Sequence, residues 1–174
     1  MQQLYMASRR LKELKTDISS VRKVEAICKC SIRITADDII AMESDNAYGE
    51  FVAKNILQAY GRGFEMDTAI RLLNEDMYFS SVDLGQAFGN EKGVRRMKSR
   101  IIGKDGRAKA YIESVSGAKI CVYGDTVSFI GTHDQISEAE AAVNTLLDGG
   151  THRLAYIRME AAHRKNKTAR LAGI

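Results

Sequence analysis

Gly103-Lys104-Asp105-Gly106 stands between two stretches of helical periodicity, and this loop restricts the possible folds more sharply than any other segment. Ahead of it, Val94, Met97 and Ile101 fall at i, i+3 and i+7 within Gly93–Ile102, on one helical face. Behind it, Ala108, Tyr111, Ile112 and Val115 keep helical spacing from Arg107, and Ser116-Gly117 stops the run. Two glycines so placed let the backbone bend tightly and approach another chain with no Cβ in the way. A Walker-type loop is excluded. That motif needs G-x-x-x-x-G-K-[ST] after a strand, whereas here the glycines are too close and no Ser or Thr follows the lysine.

The flanks complete a pattern. Tyr78–Leu84 reads as a strand, Ala118–Tyr123 and Thr126–Ile130 as a hairpin about Gly124-Asp125, and Asp134–Leu147 as a helix. The order is β-α-α-β-β-α. Aligning Ile32-Arg33-Ile34 with Ile120-Cys121-Val122 repeats that order at the start of the chain and sets Glu25 on Glu113. The first copy then has strands at Gln3–Ala7 and Ile32–Thr35, helices at Arg9–Leu14, Ser19–Ile27 and 47–60, and Lys15-Thr16-Asp17-Ile18 in place of the glycine loop. Its remaining strand falls within Ala36–Asn46, where Asp37–Met42 fits a helix nearly as well. Gly61 and Gly63 read as a helix cap.

Charge is segregated. Residues 92–109 hold eight basic residues (Lys92, Arg95, Arg96, Lys98, Arg100, Lys104, Arg107, Lys109) against Asp105 alone, although the whole chain of 174 residues has a net charge of only +4. A basic block between acidic stretches marks a face that meets an anion. A hydrophobic content of 45% supplies a core, and no apolar run is long enough to span a membrane. Cys28, Cys30 and Cys121 make neither a disulfide framework nor zinc spacing, and the N-terminus lacks signal-peptide order, so a reduced, cytoplasmic protein is expected. Asp37, Asp38, Glu75 and Asp76 flank no His or Lys constellation, which disfavours the metal-dependent nuclease alternative. A non-enzyme without cofactor or metal is expected.

A G-x-x-G between helices, within β-α-α-β-β-α and next to basic residues, is the pattern of a KH domain, which clamps about four unpaired nucleotides. The chain resembles the partner-of-Nob family of two-KH ribosome-assembly factors, in its archaeal form. The resemblance rests on Ala59-Tyr-Gly-Arg-Gly-Phe64, Ala69-Ile-Arg-Leu-Leu73, Ser99-Arg-Ile-Ile-Gly-Lys-Asp-Gly-Arg107, Val122-Tyr-Gly-Asp-Thr-Val127, Ile130-Gly131 and Leu146-Leu-Asp-Gly-Gly150. Krr-type KH proteins are close relatives, and a general RNA-binding or protein-docking adaptor is the alternative role.

The resemblance implies an α+β chain of two tandem type I KH domains, the first degenerate, with a basic C-terminal helix or tail. The expected divisions are 1–64, a helical linker 65–77, the glycine-loop domain 78–150, and the tail 151–174. Expected RNA contacts are Arg100, Ile102, Gly103, Lys104, Asp105, Gly106, Arg107, Lys109 and Ile120, with Arg158, Arg164, Lys165 and Lys167 as further candidates in the tail. Ile102, Ile112 and Ile120 are candidates for an apolar wall against bases, Ile112 being the one better read as core. The implied partners are single-stranded RNA near the 3′ end of small-subunit rRNA and a PIN-domain endonuclease or another assembly protein.

Overall fold

The computed structural model describes residues 1–172 and divides the chain into two units, Met1–Glu75 and Asp76–Ile174.

The first unit runs β1 (Gln2–Tyr5), α1 (Ser8–Thr16), α2 (Ile18–Cys28), β2 (Ser31–Ile34), β3 (Ile39–Glu43) and α3 (Ala47–Gly61). The short helix α4 (Met66–Ala69) and a 3-10 turn (Ile70–Leu73) follow. Its sheet is antiparallel in the order β1-β3-β2, with Leu4 opposite Ile40 and Ile32 opposite Met42. Ile40 and Met42 alternate onto one face of β3, where they are buried with Leu11, Leu14, Val24, Ile56 and Leu57. The ambiguous stretch is thus a strand. Asp38 turns the chain at φ 61°, and β3 takes hydrogen bonds from two neighbours, so long-range pairing overrides the local helical pattern. The 66–73 stretch packs on α3 with Met66 and Ala69 buried, inside this unit.

Arg10 organises the end of α3. Its guanidinium donates to the carbonyls of Tyr60 (3.0 Å) and Phe64 (2.6 Å) and lies 3.9 Å from the Tyr60 ring centroid. Gly63, at φ 99°, donates to Tyr60 O, and Phe64 to Ala59 O, which completes the glycine cap. Arg10 also bonds Glu13 at 2.7 Å, and that hydrogen bond holds the Glu13 carboxyl below its usual range.

The second unit runs β4 (Tyr78–Asp83), α5 (Leu84–Phe88), α6 (Glu91–Ile102), a 3-10 turn (Lys104–Gly106), α7 (Arg107–Ser116), β5 (Lys119–Tyr123), β6 (Thr126–Gly131), α8 (His133–Leu147) and α9 (His152–Leu171). Its sheet order is β4-β6-β5, again antiparallel, with Phe129 facing Ser80 on one side and Ile120 on the other. Val94, Met97, Ile101, Ile112, Ile120, Val127, Phe129, Val143 and Leu146 form the core. The short helix α5 has no counterpart in the sequence reading; the Asp83 carboxylate caps it by accepting from Gln86 N at 3.0 Å. Thr132 and Gln135 form a capping box that starts α8. Residues 152–171 form a packed helix: Ala155 and Met159 are wholly buried in the core, and α9 lies along α7 and α8.

The two units share one strand order and one side-chain device. Glu25 Oε1 accepts from Ile32 N at 2.7 Å, and Glu113 Oε1 accepts from Ile120 N at 2.8 Å, at the positions that the sequence alignment paired. In each unit a carboxylate on the helix just before the edge strand ties that strand down. No disulfide links the cysteines, and burial, helped by nearby Cys30, pushes the Cys28 thiol up to about 11.

Candidate nucleic-acid interface

Three residues in the left-handed half of backbone space build the loop between α6 and α7. They are Gly103 (φ 74°, ψ 175°), Asp105 (φ 55°, ψ 27°) and Gly106 (φ 75°, ψ 7°). Gly103 N–H donates to Ser99 O at 2.9 Å, closing α6, and Gly106 N–H donates to Gly103 O at 3.2 Å. The two glycines serve different ends. A Cβ at Gly103 would lie 2.5 Å from Ala108 Cβ and 2.8 Å from Ala108 N, so this glycine lets the loop pack on α7. A Cβ at Gly106 would meet nothing within 4 Å. The second glycine therefore keeps open the space before the first turn of α7. No side chain caps α7, which leaves amide donors and the positive end of the helix dipole at that opening. Lys104, Asp105 and Arg107 are exposed around it, and Arg107 lies 3.9 Å from Asp105, a separation at which two exposed charges constrain each other little.

The corresponding loop of the first unit is chemically different. Asp17 has φ −94°, and its carboxylate caps α2 by accepting from Ser20 N at 3.1 Å. Hydrogen bonds from Ser20 and Ser19 hold that carboxyl below its usual range, so a negative charge sits where the second unit offers bare amides. Lys15 is paired with Asp38 at 2.6 Å, and Ile18 projects into solvent.

The expected contacts divide into two groups. Gly103, Lys104, Asp105, Gly106 and Arg107 come together at the opening, with half-buried Ile102 beside them. Ile120 does not reach the surface. It is only 3% exposed because it stands opposite Phe129 under the helices, so the apolar wall loses it, and Ile112 is wholly buried as well. Arg100 is held away from the loop opening, its guanidinium donating to Leu146 O at 2.8 Å and to Gly150 O and tying α6 to the α8–α9 junction, while the residue lines the outer side of α6. Lys109 is 3.1 Å from Glu113, which screens its charge. In the tail, Arg164, Lys165 and Lys167 are exposed on α9, while Arg158 leans on Thr145 at 3.4 Å. This half of α9 is fastened along α8 by His163 and Asn166 on Glu138 and by Arg170 on Asp134. Tyr111 and Tyr156 join α7 to α9 with ring centroids 4.5 Å apart, and Tyr111 donates to Glu160, a bond that raises its phenol above the usual range.

Sequence reasoning missed a groove of about 890 Å³ along the outer side of α6, lined by Phe88, Lys92, Arg96, Ser99, Lys104 and His152 among others. The signal was present: Lys92, Arg96 and Ser99 recur at helical spacing opposite Val94, Met97 and Ile101.

Comparison with known proteins agrees with this geometry. Residues 78–164 match the family of the second KH domain of Pno1, a eukaryotic type KH domain (KH-domain type I). A KH domain-containing protein of Methanocaldococcus jannaschii is 37% identical over 118 residues, covering 68% of this chain and 52% of the relative. The pre-rRNA-processing protein pno1 of Aspergillus fumigatus is 31% identical over 99 residues, or 55% of this chain and 39% of the relative. The chain thus spans about half or less of the length of these curated relatives. Among solved structures, a chain of the a/eIF2alpha–aDim2p–rRNA complex of Pyrococcus horikoshii superposes with a TM-score of 0.85 at 29% identity, over 94% of each chain. With half its length inside the matched domain, built about an open glycine loop, the chain belongs to the Pno1-type family of KH-domain proteins.

Proposed function

We propose that the chain is a non-catalytic, single-stranded RNA-binding factor of small-subunit ribosome assembly that acts near the 3′ end of 16S-type rRNA. The observation that carries this reading is the open, uncapped start of α7 behind Gly106, ringed by Lys104 and Arg107. A sugar-phosphate chain can reach those amides, and their dipoles and the cations favour its charge. The pre-rRNA-processing role in the name of a relative and the rRNA in the complex of a structural neighbour support the choice of RNA.

In this reading the units are tandem KH domains, 1–64 and 78–150, and the first is degenerate. Its Asp17 cap repels phosphate and its Ile18 bars close approach, so it serves as scaffold or protein contact, which leaves room for an endonuclease partner. A cytoplasmic location is part of this reading, and the lack of any described helix long and apolar enough to cross a membrane is compatible with it.

Gel-shift titration with a single-stranded RNA ending in the small-subunit 3′ sequence tests the reading. Gly106→Asp puts bulk and negative charge at the opening and should weaken binding about tenfold or more with the fold retained, since losing one charge-assisted contact costs about 1.5–3 kcal/mol. Replacing Lys104 and Asp105 together should act in the same direction. Unchanged affinity in both variants would remove the loop from the interface. Adding Mg²⁺ or Mn²⁺ should leave the RNA intact, and reproducible cleavage would restore the nuclease alternative.

A further inference from the structure

We propose that the groove on the outer side of α6 carries the RNA chain beyond the nucleotides held at the 103–106 loop, a proposal that rests on the RNA-binding reading. The groove holds about 890 Å³ and runs from Phe88 near the start of α6 to Gly103 and Lys104 at its end. Twelve residues of helix at 1.5 Å each make that path about 18 Å long. Among the described residues its lining includes none from α7 or β5, so it leads away from the Ile102–Lys109 flank. Lys104 belongs both to the loop and to the groove, which makes the two continuous.

Of the cations in its lining, Arg100 serves the fold by donating to Leu146 O and Gly150 O, but others do not. Lys92 and Arg96 are exposed, one helical turn apart, and lack an ion-pair partner among the described residues. Lys92 also sits in the first turn of α6, where a positive charge opposes the helix dipole. Among the described residues Arg95 has only exposed Glu91 as an ion-pair partner, at 3.5 Å. Exposed cations kept along a concave surface, one of them at a cost to its own helix, fit a polyanion. Half-buried Phe88 closes the far end with an apolar surface of the kind on which an unstacked base rests. A four-nucleotide ligand would be used up at the loop, so the groove engages only longer strands.

The test uses the full chain, its Lys92→Glu/Arg96→Glu double variant and Phe88→Ala, with fluorescein-labelled single-stranded RNAs of four and twelve nucleotides that share the same four-nucleotide core. The wild type should bind the longer RNA more tightly and with a steeper salt dependence. The double variant should bind the twelve-mer about tenfold or more weakly, its log–log salt slope flattened by about 0.7 for each phosphate released, and the tetramer within about twofold of wild type. Phe88→Ala should weaken the twelve-mer alone while leaving the salt slope in place. Circular dichroism melts within a few degrees of wild type confirm that each variant is folded; a double variant that melts lower is replaced by Arg96→Gln, which should flatten the salt slope on the twelve-mer alone, and a Phe88→Ala that melts lower by Phe88→Leu, which should weaken the twelve-mer alone with the slope in place. Equal losses on both RNAs, or none on the twelve-mer, would overturn the groove assignment while the loop reading stands. So would an acidic peptide that binds the groove variants less well than wild type without competing with the twelve-mer. Failure of the wild type to bind either RNA would instead defeat the RNA-binding reading.

Discussion

Gly103 and Gly106 look interchangeable as letters, yet their surroundings assign them different work. Gly103 adopts a φ,ψ pair open almost only to glycine and also has Ala108 pressed against it. Gly106 is in the ordinary left-handed region with free space around it. Gly103→Ala should therefore cost about 3 kcal/mol or more of stability, and Gly106→Ala about 1 kcal/mol. Urea unfolding of the two variants would show it, and equal losses would contradict the distinction. The sequence marked both residues because G-x-x-G is a local pattern. It placed Ile120 on the surface, and it gave no sign that Arg100 is tethered, because neither a neighbour across a sheet nor the distant carbonyls of Leu146 and Gly150 are visible in local spacing.

Among the elements, α9 changes most between sequence and structure. Its alanine-rich, basic residues suit a tail as well as a helix, and its burial depends on Ala155 and Met159 finding a place against α7 and α8. Met159→Ala should cost about 2–5 kcal/mol, as for other wholly buried large side chains. A thermal melt with no shift would mean that α9 stands apart from the core. The strand β3 teaches a related lesson. Ile39–Glu43 is held by pairing on both edges, a term that grows only with the chain around it. By contrast α6, α7 and α8 were legible because their apolar faces repeat at helical spacing and glycines or caps mark their ends.

For the molecule as a whole, the net charge of +4 conceals a strongly basic block at 92–109. Binding should follow the local basic block of 92–109, so affinity should fall with salt at a log–log slope of about −0.7 per phosphate neutralised on single strands. Anisotropy titrations from low to high salt would measure this, and a flat response would favour a protein-docking role. The carboxylate-to-strand bonds at Glu25 and Glu113 match in geometry at one pair of positions that the letters aligned. The difference between the 15–18 and 103–106 loops was legible in the same way, since Lys15-Thr16-Asp17-Ile18 has no glycine to reach left-handed angles without strain.

Periodicity, glycine spacing and charge segregation are short-range properties of the chain, and they were enough to set the element order, the bend at 103–106 and its basic surroundings. Which isoleucines reach solvent, where each guanidinium points, how the last helix is buried and the existence of a groove along α6 depend on contacts between residues far apart in the chain. Those were settled only when the sheet and helices packed, because burial and hydrogen-bond partners are properties of the assembled core.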